Sequence, residues 1–396
     1  MKSILLLISL IASEFSLTDF GTRARDFSVK LLYNVQNETD SHMVMSPFGI
    51  WSLLTGIAIG TQGSSQVQLT EALNLPYNTY HIVHGYDNLT KTVLTPGTES
   101  VSLISKNFMF LDEDLEIFPE YKSIMTTHFN ATITSLNFKD PALAAKKANS
   151  IIQQSRASSN EVLKAEDFMT SRLIVTNAIT LKGLWASPFN VSATQVEPFY
   201  DDKKSVIGEV KMMYQRAPLA FSVMQSIKAA VLELPYGNDE KYCMLVVLPL
   251  STSNVKEVFE KLQTTQLAEI FGTLQSDVDE YGLEEVDIKL PRFKADSNIN
   301  LNKSLKKMNV TQIFDPTLAS FRRMTKENIF VSSIVHEASI EVTETGTVAS
   351  ADTSAYFANR QSTPSFEANH PFIYLIMEKP TTTVLFGGVY SKPSIF

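Results

Sequence analysis

The sequence predicts an α+β fold, with helices crowded into its first part and antiparallel strands filling the remainder. Three observations predict it. Apolar residues recur at helical spacing before Ser155, β-branched and aromatic runs dominate from Arg172 onward, and no Pro- or Ser-rich linker or internal repeat divides the 396 residues. Hydrophobic residues make up 44% and charged residues 19%, enough apolar material to close one large core.

Taken in order, the chain opens with Lys2, an apolar run from Ile4 to Ala12, and small or polar residues from Ser13. This three-part pattern marks a secretory signal over 1–16, cleaved between Ala12 and Leu17, and the run is too short to span a bilayer. A single extracellular domain over 17–396 is expected to follow. Phe27, Leu31 and Leu32 give Asp26 to Val35 helical spacing. Ser46-Pro47 starts a second helix, because Ser caps orphan amides and Pro at the first position lacks only an amide hydrogen that would be unpaired there. A strand is expected over Ser102 to Leu111 and a helix over Ala142 to Ser155. Strands then follow at Leu173 to Lys182, Ala229 to Leu234, Tyr242 to Leu248, Val286 to Leu290, Ile334 to Val342, Phe372 to Glu378 and Thr383 to Tyr390. Short helices over Asn254 to Gln263 and Ser304 to Met308 interrupt them.

Composition narrows the function. The net charge is -8 and no basic stripe runs through the chain, which argues against a nucleic-acid partner. The single cysteine, Cys243, lies in an apolar run and reads as a core thiol. Six Asn-x-Ser/Thr acceptors, at Asn37, Asn88, Asn130, Asn190, Asn302 and Asn309, agree with export and with a glycoprotein. No Gly-x-Ser-x-Gly elbow, His-Glu-x-x-His helix, phosphate loop or Cys-x-x-Cys pair occurs, so no enzyme, metal or cofactor is expected. The conspicuous feature is a stretch of small residues from Gly346 to Asn369 between two apolar strands. Long unpatterned connections inside compact domains are usually functional loops.

Several segments resemble the serpin family. Asn177-Ala-Ile-Thr-Leu-Lys-Gly-Leu-Trp185 is similar to the signature in the third strand of its central sheet. Ile334-Val-His-Glu-Ala-Ser-Ile-Glu-Val-Thr-Glu-Thr-Gly-Thr347 resembles its fifth strand and hinge, and Phe386-Gly-Gly-Val-Tyr-Ser-Lys-Pro393 its closing strand. Ser46-Pro47, Glu233-Leu-Pro-Tyr236, Leu248-Pro249, Leu290-Pro-Arg-Phe293 and Pro371-Phe372 fall in the family's order, so the resemblance covers about Asp26 to Pro393. It implies three β-sheets, eight or nine helices and an exposed reactive loop over about 345–369. It also implies suicide inhibition, in which a proteinase cleaves the loop, becomes acylated, and is distorted as the loop inserts into the central sheet.

The same resemblance assigns residues. The hinge is Glu344, Gly346, Thr347, Val348, Ala349, Ser350 and Ala351, of which Thr347, Ala349, Ser350 and Ala351 are small enough to enter a sheet without overpacking it. Ser46, Asn177 and His336 match the gate that opens for the loop, Trp185 lies where the loop first enters, and Arg292 is expected to pair with Glu344. The family's spacing places the reactive bond fourteen residues after Gly346, between Arg360 and Gln361. Arginine there implies a trypsin-like serine proteinase, whose pocket carboxylate grips a guanidinium through paired hydrogen bonds. A covalent one-to-one complex formed by a monomer, with no membrane partner, is the expectation. Heparin activation is not expected, because the stretch from Ser64 to Lys91 holds Lys91 as its only basic Lys or Arg residue. A non-inhibitory carrier or storage protein and an inhibitor of papain-like cysteine proteinases stay open as alternatives.

Overall fold

The computed structural model describes residues 20–39, 42–95, 100–155, 161–169, 171–239, 241–347 and 363–396. Among these, ten α-helices pack around three β-sheets. The described residues begin with helix α1 (20–36), then β1 (Met43–Met45) and α2 (Pro47–Gly60). Helices α3 (Ser64–Ala72) and α4 (Thr79–Val93) follow, then β2 (Val101–Asp112), α5 (Pro119–His128), β3 (Ala131–Leu136), α6 (Pro141–Gln154) and α7 (Ala165–Met169). Strand β4 (Leu173–Leu184) returns alongside β2. Next come β5 (Gln195–Tyr200), β6 (Val206–Leu219), β7 (Phe221–Met224), β8 (Ala229–Tyr236) and β9 (Tyr242–Pro249). The last part holds α8 (Val255–Leu262), α9 (Leu267–Tyr281), β10 (Glu284–Asn300), α10 (Asn302–Lys307), β11 (Val335–Val342), β12 (Gly346–Thr347), β13 (Ser365–Glu367), β14 (Phe372–Glu378) and β15 (Thr383–Tyr390).

A six-stranded sheet, ordered β1-β15-β14-β9-β8-β7, forms the base of the core. Every residue of β9, β14 and β15 is buried, so these strands read as continuous apolar runs. Cys243 lies inside β9, fully buried, and burial pushes its thiol well above the ordinary range. Helix α2 is buried at all fourteen positions, in keeping with apolar residues around its whole circumference. Ser46 caps it by accepting from the Gly49 amide.

Two further sheets position the loop. One is ordered β12-β4-β2-β3, the other β11-β10-β6-β5, with β13 added to β10. Strand β10 serves two partners in turn: Glu284 to Arg292 pairs with β6, and Phe293 to Asn300 pairs with β11. No ladder joins β4 to β11 among the described residues, and the short strand β12 enters at the end of β4.

The later helices expected over Asn254 to Gln263 and Ser304 to Met308 are present as α8 and α10, while α9, fifteen residues long, was not expected. Two expectations need correction. The strand expected over Val286 to Leu290 continues through Pro291 to Asn300. The segment read as an unpatterned, exposed loop is in sheets at both ends, with Gly346 and Thr347 buried in β12 and Ser365 to Glu367 in β13. Among the described residues, no helix is long and apolar enough to cross a membrane.

Candidate functional site

The chain leaves β11 and reverses within four residues. Thr343 N–H donates to the Gly346 carbonyl at 2.9 Å, and Gly346 N–H returns a bond to the Thr343 carbonyl at 3.2 Å. Gly346 and Thr347 then run antiparallel to β4, opposite Leu184 and Gly183. Gly346 has a φ of 141°, and a Cβ there would lie 2.1 Å from the Gly183 carbonyl oxygen. Only glycine can make this reversal.

Trp185 holds the turn from outside. Its indole Nε1–H donates to the Thr343 carbonyl at 2.9 Å, and its amide donates to the Thr345 carbonyl at 3.0 Å. Its ring stacks on Tyr236 with centroids 4.5 Å apart. The Tyr236 hydroxyl and the Thr347 hydroxyl are hydrogen-bonded at 2.8 Å, with Thr347 only 2% exposed. Burial pushes the Tyr236 phenol far up, so it stays neutral. The Glu344 carboxylate accepts from the Thr194 hydroxyl at 2.8 Å and faces the Arg292 guanidinium at 3.5 Å. The Phe189 amide also donates to the Glu344 carbonyl at 2.7 Å. The beginning of the candidate hinge is therefore a folded clasp.

Deeper in the molecule, Ser46 N–H donates to His336 Nε2 at 2.8 Å, and the Ser46 hydroxyl donates to the Leu385 carbonyl at 2.6 Å. This joins α2 to β11 and β15. Asn177 does not bond either residue. Its Nδ2 donates to Asn107 Oδ1 at 2.9 Å, and Asn107 in turn reaches the Ser52 hydroxyl at 3.0 Å and the Phe129 carbonyl at 2.8 Å. Gly49 makes room for this, since a Cβ there would lie 2.1 Å from Asn177 Oδ1. Sequence reading missed Tyr236, Thr194, Asn107 and Ser52 as parts of these networks; the segment Glu233-Leu-Pro-Tyr236 was the one available signal. The hinge residues Val348, Ala349, Ser350 and Ala351, the reactive bond Arg360-Gln361 and the signal segment 1–16 lie outside the described residues.

His336 is fully buried, and desolvation lowers its pKa to about 4. It is thus neutral at physiological pH, with Nε2 committed as an acceptor. In the unfolded chain its pKa is about 6.5, so between pH 6.5 and 4 the unfolded state binds more protons. Its contribution to stability is complete above pH 6.5 and is lost as pH falls toward 4, by about 3 kcal/mol. Urea denaturation of His336→Gln is expected to show a correspondingly flatter loss of stability across that window. An unchanged slope would mean that another group titrates.

Of the six Asn-x-Ser/Thr asparagines, Asn37, Asn88, Asn130, Asn190 and Asn309 are exposed. Asn302 is different. Its Nδ2 donates to the Ser332 carbonyl at 2.8 Å, its Oδ1 accepts from the Ile334 amide at 2.9 Å, and Ser304 is buried. The fold uses Asn302 as a staple between α10 and the segment entering β11, a role that does not suit a glycan acceptor.

The family profile described as Serpin (serine protease inhibitor) matches residues 22–393. The chain belongs to the serpin family. The leukocyte elastase inhibitor of Sus scrofa is 30% identical over 370 residues, covering 91% of this chain and 96% of that protein. Among solved serpin structures, human thyroxine-binding globulin in complex with thyroxine superposes with a TM-score of 0.82 at 23% identity, covering 96% of this chain and 100% of that one. Serpin-12 of Manduca sexta gives 0.81 at 24% identity, covering 94% and 98%. The α+β serpin fold is therefore common to this chain and to proteins with inhibitory and hormone-binding names. Relationship to inhibitors supports a general non-enzymatic inhibitor role, and no cluster of His, Cys, Asp or Glu among the described residues could hold a metal ion.

Proposed function

We propose that this serpin is a secreted inhibitor of trypsin-like serine proteinases, acting by loop insertion with Arg360 ahead of the cleaved bond. The observation that carries this is the clasp. Gly346 and Thr347 already pair with the end of β4, and Thr347 is seated on Tyr236. Insertion thus has a start, and the small residues Ala349, Ser350 and Ala351 follow it in sequence.

The energetics favour small side chains that fit. Each residue ordered costs about 1–2 kcal/mol of backbone entropy. Strand pairing and apolar burial, worth about 25 cal/mol per Å² removed from water, must exceed that cost. Serpin loop insertion is an established case of stored strain released by proteolysis. Several relatives carry elastase-inhibitor names, but Arg360 favours a pocket with a carboxylate floor over an elastase-like one.

Incubation with trypsin is expected to give an SDS-stable complex of about one-to-one composition and to release a C-terminal peptide beginning at Gln361. Chain cleaved at that bond should melt at a higher temperature than intact chain. Clean cleavage without a complex and without a rise in melting temperature would overturn the proposal and favour the carrier reading.

A further inference from the structure

Negative charge on this protein is concentrated in one place. Residues 262–288 contain seven carboxylates (Glu269, Asp277, Asp279, Glu280, Glu284, Glu285 and Asp287) and no Lys, Arg or His, against a net charge of -8 for the whole chain. Arg216 pairs with Asp287, but no salt bridge among the described residues reaches the other six. Asp277, Asp279 and Glu280 lie near the C-terminal end of α9, which has no basic residue in its last turn. The helix dipole disfavours carboxylates there, so helix stability does not account for them.

Two of these acids, Asp277 and Glu284, line a largely apolar cleft, and Glu280 and Glu285 neighbour its lining residues in sequence. It has a volume of about 270 Å³ between β7, the end of α9 and the start of β10, with Leu219, Phe221, Val223, Val278 and Tyr281 in its lining. Tyr281 is 65% exposed and Leu283 beside it 56%. The volume falls below the ~300 Å³ at which pockets for drug-sized ligands begin, and suits one or two side chains.

The cleft also adjoins the reactive segment. Phe221 in its wall packs on Phe366 with ring centroids 6.2 Å apart, and Asp287 N–H donates to the Pro364 carbonyl at 2.9 Å. Pro364 is four residues beyond Arg360, at most about 14 Å along an extended chain. Glu284 is three residues from Asp287 along β10, about 10 Å. A proteinase of about 230 residues has a radius of gyration near 17 Å, so one engaged at Arg360 would overhang the cleft.

We propose that the cleft and its acidic rim form a second contact for the target proteinase, receiving a surface loop rich in Lys or Arg with an apolar tip. This rests on the reading that the proteinase is engaged at Arg360. A second copy of this chain is a poor occupant, because it would bring the same negative surface. The contact acts mainly on association, where complementary charge raises encounter rates by about 10–10³-fold and fades with salt.

The test uses cationic trypsin made inert by replacing its catalytic serine with alanine, and the same enzyme with its lysines acetylated. In 50 mM salt its affinity for Glu280→Lys/Glu284→Lys is expected to fall at least tenfold below that for the unaltered serpin. The difference should close by 0.5 M salt, and acetylated trypsin should bind both alike. Tyr281→Ser should weaken binding at both salt concentrations. The lysine at 280 lies in the last turn of α9, where the helix dipole favours it, and position 284 is exposed at the start of β10, so both substitutions are expected to leave the fold intact. Equal affinity at low salt overturns the contact, even if active trypsin is trapped normally. If active trypsin is never trapped while inert trypsin still discriminates between the variants, the contact stands and the Arg360 reading falls.

Discussion

Arg360→Ala is expected to reduce trapping of trypsin by about two to four orders of magnitude while leaving the melting temperature unchanged. Arg360 is the only basic residue from Thr343 to Asn369. A trypsin-like pocket buries a carboxylate that a guanidinium satisfies with two parallel charged hydrogen bonds. Truncation to Ala leaves that carboxylate buried and unpaired. Breaking a buried pair in this way costs about 3–5 kcal/mol, and each 1.4 kcal/mol is a factor of ten. Arg360→Lys keeps the charge and loses the fork, so it should trap more slowly than the unaltered serpin but far faster than the Ala variant. The measurement is the second-order rate of SDS-stable complex formation. Equal rates for Ala and Arg would place the reactive bond elsewhere. Retained trapping of a papain-like cysteine proteinase by the Ala variant would favour that alternative target class.

The parts of this fold that sequence makes legible are those with local causes. Strands β14 and β15 were expected at the bounds the structure gives, because they are buried runs between turn residues. Helix α2 announces itself through Ser46-Pro47. Helix α9 does not, since Gln266 makes no side-chain cap and its acidic end opposes the usual helix signals. Strand β6, fourteen residues long, was missed because much of it is exposed and it ends near Pro218. The reading of β10 stopped at Leu290 because Pro291 lacks an amide for a ladder. The structure places Pro291 close to where β10 changes partner from β6 to β11, a position where a missing donor is tolerated.

The clasp belongs to the opposite class. Nothing local marks Thr347 for contact with Tyr236, a residue 111 positions away, or Thr343 for contact with the Trp185 indole. The ion pair between Arg292 and Glu344 was legible only through the family resemblance. Long-range pairings of this kind are set by which strands become neighbours, and periodicity carries no information about that. The hinge residues themselves are mostly small, a composition shared by ordinary loops.

Thr347→Arg is expected to convert the inhibitor into a substrate. Thr347 is 2% exposed, its hydroxyl is bonded to Tyr236 at 2.8 Å, and Tyr236 is pinned by its stack on Trp185. A guanidinium there must either be buried without a carboxylate or displace both rings, and each route is costly. The first step of insertion is then blocked, and every later residue depends on that step. Trapping is a race between insertion and release of the acylated proteinase, so slowing insertion diverts flux to cleaved product without altering attack at Arg360. Trypsin should cut the variant as fast as the unaltered chain, give less than about a tenth of the SDS-stable complex, and leave a cleaved form no harder to melt than the uncut one. Thr347→Val separates shape from hydrogen bonding. It keeps the β-branch and loses one neutral hydrogen bond, worth about 1 kcal/mol, so most trapping should survive. If the Arg variant still traps trypsin in full yield, the pairing of Gly346 and Thr347 with β4 is not where insertion starts, and the clasp only fixes the resting position of the loop.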